Sequence, residues 1–196
     1  MLTAATNDVR VFLGRARRLD PQALVRLRGA ADGVVELWTV LPFDVLAATR
    51  VPGDLDKDIT VRSGDLEDTL ADGSWPTPVD ELWRGALPGG EGEVLETIAA
   101  TEFAKLGESA ASALNGARGR GVGDRRLRDT LLDHVALQVL SEDRRRHDIR
   151  LRLVIGLLRM GFAPGGMVNV RSHLGRLGLQ GVHGTVWNPS AGLSIL

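Results

Sequence analysis

The sequence contains no cysteine and no tyrosine, and only four histidines in 196 residues. Without cysteine the chain can form neither disulfides nor a thiolate metal site, so its stability must come from a hydrophobic core. The absence of cysteine also fits a reducing compartment, and we expect a cytoplasmic protein. The longest apolar run, Leu153 to Leu158, is far shorter than the roughly 20 residues of a spanning helix. We therefore expect no membrane association.

No intact catalytic or cofactor motif is present, and we predict no catalytic residue, no cofactor and no metal site. The carboxylates at 54–58 alternate as in a calcium loop, but Ile59 stands where that loop needs glycine and Asp65 where it needs glutamate. The glycines at 119–123 resemble a phosphate-binding loop, yet the pattern before them is helical rather than a strand. The four histidines, at 134, 147, 173 and 183, lack metal-ligand spacing.

Charge is divided unevenly between the two halves of the chain. Residues 1–98 hold 10 basic against 17 acidic residues, whereas residues 99–196 hold 14 against 8. The sign changes at the Pro- and Gly-rich stretch 88–92, which is the best candidate for a linker. We predict two subdomains, an acidic α+β subdomain over 1–88 and a basic α+β subdomain over 93–196. Their opposite charges favour either docking within one chain or head-to-tail association between copies.

Hydrophobic periodicity predicts an α+β fold, with antiparallel hairpins and helices packed on one face. In the first half we expect a helix from residue 6 or 7 to 19, strands at 24–28, 34–41, 45–51 and 59–61, a helix at 64–71 capped by Ser63, and a helix opened by Thr77-Pro78. In the second half we expect one long helix at 93–115, a strand at 135–140, a helix from Asp148 to Gly161, and strands at 167–170, 174–179 and 184–187.

Two arginine clusters in the second half are the candidate binding residues. If they share a face, they would neutralise phosphates along a nucleic acid or bind an acidic partner. Interleaved aspartates, an overall charge of −1 and the lack of aromatic residues among the arginines favour instead salt-bridged helix surfaces or a socket for an acidic protein. The residues selected are Arg118, Arg120, Arg125, Arg126, Arg144, Arg145 and Arg146.

Trp75 is the candidate anchor for a partner. It lies in the loop sequence Gly-Ser-Trp-Pro at 73–76, where an exposed indole could contact another protein. The other three tryptophans are expected to pack in the core.

Five stretches carry a resemblance to other sequences: 10–21, 24–28, 36–43, 159–162 and 184–187. They resemble an uncharacterised family of actinobacterial proteins, and this resemblance implies a bacterial cytoplasmic protein without an assigned activity. The order of elements over 6–71 is also similar to one module of a DNA sliding clamp. Such modules are α+β units that assemble edge to edge into rings, so the likeness implies an architecture and no more.

These observations predict a non-enzymatic protein-interaction or scaffold module that forms a homodimer. Its expected partner is a second copy or another protein. The alternative is a nucleic-acid-associated regulator that uses the C-terminal arginines. A second alternative is an enzyme whose site the sequence does not reveal.

Overall fold

In the computed structural model, the described residues are 6–70, 73–117 and 129–189. The chain divides into two compact units. Unit 1 comprises residues 1–87 with the segment that begins at Pro189, and unit 2 comprises residues 88–188. Within the described ranges, no helix combines the length and the apolar character that crossing a membrane requires.

Unit 1 is one antiparallel sheet with two helices. Its elements are α1 (Thr6–Leu19), β1 (Leu24–Ala30), β2 (Val34–Leu41), β3 (Val45–Pro52), β4 (Ile59–Arg62), α2 (Ser63–Thr69) and a 3₁₀ turn (Asp80–Leu82). The strands lie in the order β4-β1-β2-β3. Asp32 and Gly33 join β1 to β2 with φ angles of 61° and 67°, the left-handed values of the tight turn that matches strand twist.

Alternation along the strands gives this sheet two different faces. Val25 and Leu27 of β1 are fully buried, as are Val9 and Leu13 of α1, and the helices contact the sheet on this side. Arg26 lies between the two buried β1 residues, so its side chain points to the opposite, outer face. The core therefore lies between the sheet and the two helices, and the outer face carries both charged residues, such as Arg26, and buried apolar ones, such as Trp38 and Ala48.

In its described residues, unit 2 contains two sheets, two helices and a further helical stretch at 129–132. Its elements are β5 (Glu93–Ala99), α3 (Ala100–Ala117), β6 (Val135–Leu140), β7 (Arg146–Arg150), α4 (Leu151–Arg159), β8 (Met167–His173), β9 (Arg176–Gly181) and β10 (Gly184–Trp187). Strands β10-β9-β8-β5 are neighbours in that order, and β6 with β7 forms a separate two-stranded sheet. All registered pairs are antiparallel. The α+β prediction with antiparallel hairpins and packed helices is confirmed.

The same junction between a strand and a helix occurs three times. The amide of the first helical residue donates to the carbonyl of the residue that precedes the paired strand. These bonds are Ser63 N to Ala23 O at 3.0 Å, Ala100 N to Gly166 O at 2.9 Å and Leu151 N to His134 O at 2.9 Å. Each extends an antiparallel ladder by one bond into a helix, which fixes the direction in which the helix leaves the sheet.

Glycine permits two close contacts with side chains in unit 2. A Cβ atom on Gly107 of α3 would lie 2.5 Å from Leu158 Cδ1 of α4, and one on Gly178 would lie 2.7 Å from the Trp187 ring. Gly107 and Ala110 of α3 are buried, whereas Ser109 and Ser112 are exposed, so the side of α3 that contains Gly107 is the one that faces α4.

Two predicted helices were wrong. Residues 93–99 form strand β5 rather than the start of a long helix, because Ile98 pairs with Val168 and Ala99 with Met167 of β8, and this distant pairing outweighs local spacing. The helix predicted after Thr77-Pro78 is only the 3₁₀ turn. Asp80, three residues after Thr77, accepts hydrogen bonds from Thr60 N and Arg26.

Two helix boundaries also differ from the prediction. Asp148 lies in β7, and α4 begins three residues later at Leu151. Ser63 is the first residue of α2 rather than its cap, and its hydroxyl is buried with no hydrogen-bond partner among the described residues. The predicted end of α4 is confirmed, since Gly161 has a φ of 58° as a C-terminal glycine requires.

Candidate functional site

The outer face of unit 1 carries a network centred on Glu36 of β2. Its Oε2 accepts hydrogen bonds from Arg28 Nε at 2.9 Å and from Trp38 Nε1 at 3.0 Å. Arg50 Nε of β3 lies 3.6 Å from Oε1. The Arg28 guanidinium also lies 5.3 Å from the centre of the Trp38 ring, within cation–π range. One carboxylate thus pairs with two arginines and accepts a hydrogen bond from a buried indole.

Beside this network lies an open groove of about 370 Å³. Arg26 lies in it and donates to Thr60 Oγ1 at 2.9 Å and to Asp80 Oδ1 at 3.3 Å. Its other nitrogen is 3.9 Å from Asp58 Oδ2. The groove is lined by Arg26, Arg28, Asp58, Asp80, Trp83, Gly85, Ala86 and Leu87, all in unit 1. We call it the Asp58–Asp80 groove.

The groove combines two carboxylates, two arginines and an aromatic ring, so the formal charges of its lining cancel. Asp58 and Asp80 retain side-chain exposures of 40% and 41%. The Trp83 indole donates to Gly85 O at 3.1 Å, which holds its ring in place. Across the residues that the structure describes, no three His, Asp or Glu side chains form a group that could hold a metal ion.

The seven arginines selected from the sequence fall into two groups. Arg118, Arg120, Arg125 and Arg126 lie outside the described residues. Arg144, Arg145 and Arg146 lie together where β6 turns into β7, and all three are exposed. We call residues 141–146 the arginine turn.

A short hydrogen-bond cluster shapes the arginine turn. Arg144 N donates to Ser141 O at 2.8 Å, and Ser141 N donates to Arg145 O at 3.0 Å. The Ser141 hydroxyl donates to Asp143, and the Arg145 guanidinium pairs with the same carboxylate at 3.2 Å. The Ser141 bond and then the Arg145 amide lower the pKa of Asp143 below its ordinary value. His147 Nε2 lies 3.3 Å from Ser141 Oγ.

Trp75, the predicted anchor, is 39% exposed, and the adjacent Pro76 is buried. The indole therefore lies at the surface, on a loop whose next residue is buried. Its role as an anchor stays a prediction.

Sequence reasoning missed the groove and the Ser141–His147 contact. The acidic run at 54–58 was compared only with a calcium-binding loop. In the structure, Asp58 of this run lies beside Arg26 in the groove. A usable signal was the alternation of Arg26 and Arg28 with buried residues in β1, since two outward arginines on one strand require compensating carboxylates.

In unit 2, Asp133 is shared between two arginines. Asp133 Oδ1 accepts from Arg150 at 3.0 Å and from Arg152 at 2.6 Å. Burial raises the pKa of Asp133, but the bonds and charges of Arg152 and then Arg150 outweigh it, so the pKa lies below its ordinary value.

Comparison with solved structures shows the fold of bacterial sliding clamps. The β subunit of DNA polymerase III from Pseudomonas aeruginosa matches with a TM-score of 0.58 at 14% identity, over 95% of this chain and 62% of that one. The DNA polymerase sliding clamp from Caulobacter crescentus gives 0.58 at 10% identity, over 94% and 63%. The β subunit from Thermotoga maritima gives 0.55 at 11% identity, over 96% and 63%.

The chain spans about three fifths of the length of these solved structures. At such identities the likeness concerns the fold alone. The predicted similarity to a sliding-clamp module is confirmed, and it extends beyond residues 6–71 to nearly the whole chain.

Two family models match the sequence, and no curated protein does. One, described as Domain of unknown function (DUF8010), matches residues 2–85. The other, described as Domain of unknown function (DUF8185), matches residues 87–193. The expectation of a family without an assigned activity is confirmed, while an actinobacterial origin stays a prediction. Because the second model covers more than half of its residues, the chain belongs to the family described as Domain of unknown function (DUF8185).

Proposed function

We propose that this protein is a non-enzymatic protein-interaction or scaffold module that forms homodimers. The observation that carries the proposal is its sliding-clamp fold over about 95% of the chain. The solved structures with that fold are described as a polymerase subunit and as sliding clamps, which are names of assembly components. A protein of this kind acts by holding a partner rather than by converting a substrate.

The surface chemistry supports the same reading. The carboxylates of the outer face bind neighbouring arginines, as Glu36 binds Arg28 and Asp80 binds Arg26. Such paired charges position surfaces and select partners. We extend the proposal to an acidic subdomain over 1–88 and a basic one over 93–196, which attract each other between copies, and to a location in the cytoplasm.

The direct test is light scattering coupled to size exclusion. At about 50 mM salt, where the screening length exceeds 10 Å, we expect a mass of twice 21.1 kDa. At about 500 mM salt the mass should fall towards the monomer, because surface charge pairs are screened. A monomer at both salt concentrations, even in concentrated protein, would contradict self-association.

Nucleic-acid binding is the second candidate function. It is favoured by one observation: Arg144 and Arg146 of the arginine turn have no ion-pair partner among the described side chains. Duplex DNA should then bind with an affinity that falls steeply with salt. Replacing both arginines by glutamate should abolish that binding, and equal binding by the doubly substituted chain would exclude this role for the turn.

Trp75 is proposed as an anchor of the interaction surface. Trp75→Ala should weaken a complex without unfolding the chain, because the indole is already 39% exposed. An unchanged association constant, measured by sedimentation, would remove Trp75 from the interface.

A further inference from the structure

We propose that the outer edge of strand β4 is a surface for pairing with the same edge of a second copy, and that Val79 and Asp80 keep this edge closed. Strand β4 is the last in the order β4-β1-β2-β3, so it has a neighbouring strand on one side only. We call Val79 and Asp80 the cover. The contact would be made by backbone hydrogen bonds, so it goes beyond the proposed self-association by charge and does not depend on it.

The backbone of Thr60 points towards the outer edge of β4. Ser63 N donates to Ala23 O, and this bond continues the antiparallel ladder between β4 and β1. Bonded and non-bonded pairs alternate along such a ladder. Counting back from Ser63, Val61 is in a bonded pair, and Thr60, opposite Arg26, is in a non-bonded one. Both backbone groups of Thr60 therefore face away from β1.

The cover satisfies both of these groups. Val79 N donates to Thr60 O at 2.7 Å, and Thr60 N donates to Asp80 Oδ1 at 2.6 Å. A carboxylate oxygen thus takes the place that the carbonyl of a neighbouring strand would have. Arg26 holds it there, since it donates to Asp80 Oδ1 at 3.3 Å and to Thr60 Oγ1 at 2.9 Å. Thr60 is fully buried as a result.

The register of β4 is complementary to itself. If two uncovered β4 strands paired antiparallel about a two-fold axis at Thr60, Ile59 would face Val61 of the second copy. Val61 is fully buried on the inner face, and Ile59, two residues away, lies on that same face. Apolar residues of one copy would therefore meet apolar residues of the other, with no side chain turned to the wrong face.

Charge at the two ends of β4 fits the same arrangement. Arg62 and Asp58 are equally far from Thr60, so each Arg62 would face Asp58 of the second copy. Arg62 is exposed and has no ion pair among the described residues. Asp58 accepts from Gly29 N at 3.3 Å, and Arg26 lies 3.9 Å from its other oxygen. Opposite charges directly across two strands stabilise their pairing, which favours a second copy as the occupant.

The edge strand of unit 2 is protected in a different way. Strand β5 carries Glu93 and Glu96 as exposed residues, and its register with β8 shifts between Val94 and Glu96. Charges, irregular register and coverage by other chain segments are the means by which natural sheets prevent pairing of their edges. The middle of β4, residues 59–61, carries no charge, so its protection comes from the cover.

Opening the cover is the test. Asp80→Ala removes the acceptor of Thr60 N. Light scattering is measured at about 500 mM salt, where attraction between surface charges is screened. The wild type should have a mass of 21.1 kDa, and Asp80→Ala should approach twice that value, with an association constant at least about tenfold larger. Asp80→Asn keeps an oxygen acceptor and should remain monomeric. Glu81→Ala, at an exposed neighbouring residue, is the matched control and should also remain monomeric.

Further substitutions in the Asp80→Ala chain test the register. Arg62→Asp would place two carboxylates opposite each other at both ends of the contact and should abolish association. Adding Asp58→Arg restores opposite charges and should restore it. Hydrogen exchange of the Thr60 amide reports on the cover itself, and it should be faster in monomeric Asp80→Ala than in the wild type. Circular dichroism checks that each variant is folded.

Three results would overturn the proposal. If Asp80→Ala stays monomeric although its Thr60 amide exchanges rapidly, the open edge is not a pairing surface. If that amide stays as protected as in the wild type, Asp80 does not close the edge. If Arg62→Asp leaves the association of Asp80→Ala unchanged, the contact lies elsewhere on the molecule.

Discussion

The outer face of unit 1 and the arginine turn of unit 2 are both rich in arginine, yet they use it differently. On the outer face, Arg26, Arg28 and Arg50 each have a carboxylate within 4.0 Å. In the arginine turn, two of three neighbouring arginines have none among the described residues. The number of arginines in a segment therefore says little about binding. What matters is whether the fold supplies each guanidinium with a partner.

The outer-face network and the arginine turn also differ in how far their ion pairs are exposed to solvent. Glu36 retains a side-chain exposure of 14%, so its bonds to Arg28 and Trp38 are made in a partly desolvated setting where they stabilise the fold. Asp143 and Arg145 retain 59% and 74%, and solvent weakens their attraction. We infer that the outer-face network contributes stability and that the arginine turn contributes contact.

Glu36→Ala removes the centre of the outer-face network and has the largest expected effect on the free energy of unfolding. It would leave the Arg28 guanidinium and the Trp38 indole without their shared acceptor, at a cost of about 2–3 kcal/mol in the free energy of unfolding. Denaturant unfolding measures the change, and Asp143→Ala should lose far less. Equal losses in the two variants would show that the two regions do not differ in this way.

Asp133→Asn tests an arginine-paired carboxylate whose exposure lies between those of Glu36 and Asp143. Its pKa is lowered, so its stabilising effect is present above about pH 4 and is lost as the pH falls further. With 48% of the side chain exposed, screening limits the loss at neutral pH to about 1 kcal/mol or less. Unfolding curves of wild type and variant should converge in acid, and a constant gap down to pH 2 would refute the assignment.

Arg144→Gly should give the smallest change in stability and the clearest separation of roles. Glycine adopts the left-handed conformation freely, so the free energy of unfolding should rise by about 0.5 kcal/mol. The same change removes an unpaired guanidinium, and self-association should weaken. A loss of stability would contradict the argument from the left-handed conformation, and an unchanged association constant would show that the Arg144 side chain has no role in contact.

The sequence predicts the first four strands and the first helix well because their signals are local. The apolar alternation in β1, the Asp32-Gly33 turn and the amphipathic pattern of α1 each fall within a few residues. The same local method failed at residues 93–99, where the apolar spacing fits a helix. Pairing with β8, some seventy residues away in the chain, decides that segment.

The candidate site depends even more on distant contacts. Arg26 and Asp80 are separated by 54 residues, and no spacing rule connects them. The arginine turn could be selected because its residues are consecutive, but its unpaired state depends on which carboxylates the fold brings near. Fold class and segment composition are thus readable from the sequence, whereas charge pairing requires the structure.

The mass of the protein in solution, measured as salt is varied, shows whether copies contact each other. We expect twice 21.1 kDa at low ionic strength and a progressive return to the monomer as salt screens the charges. A mass of 21.1 kDa at every ionic strength and at high protein concentration would contradict it.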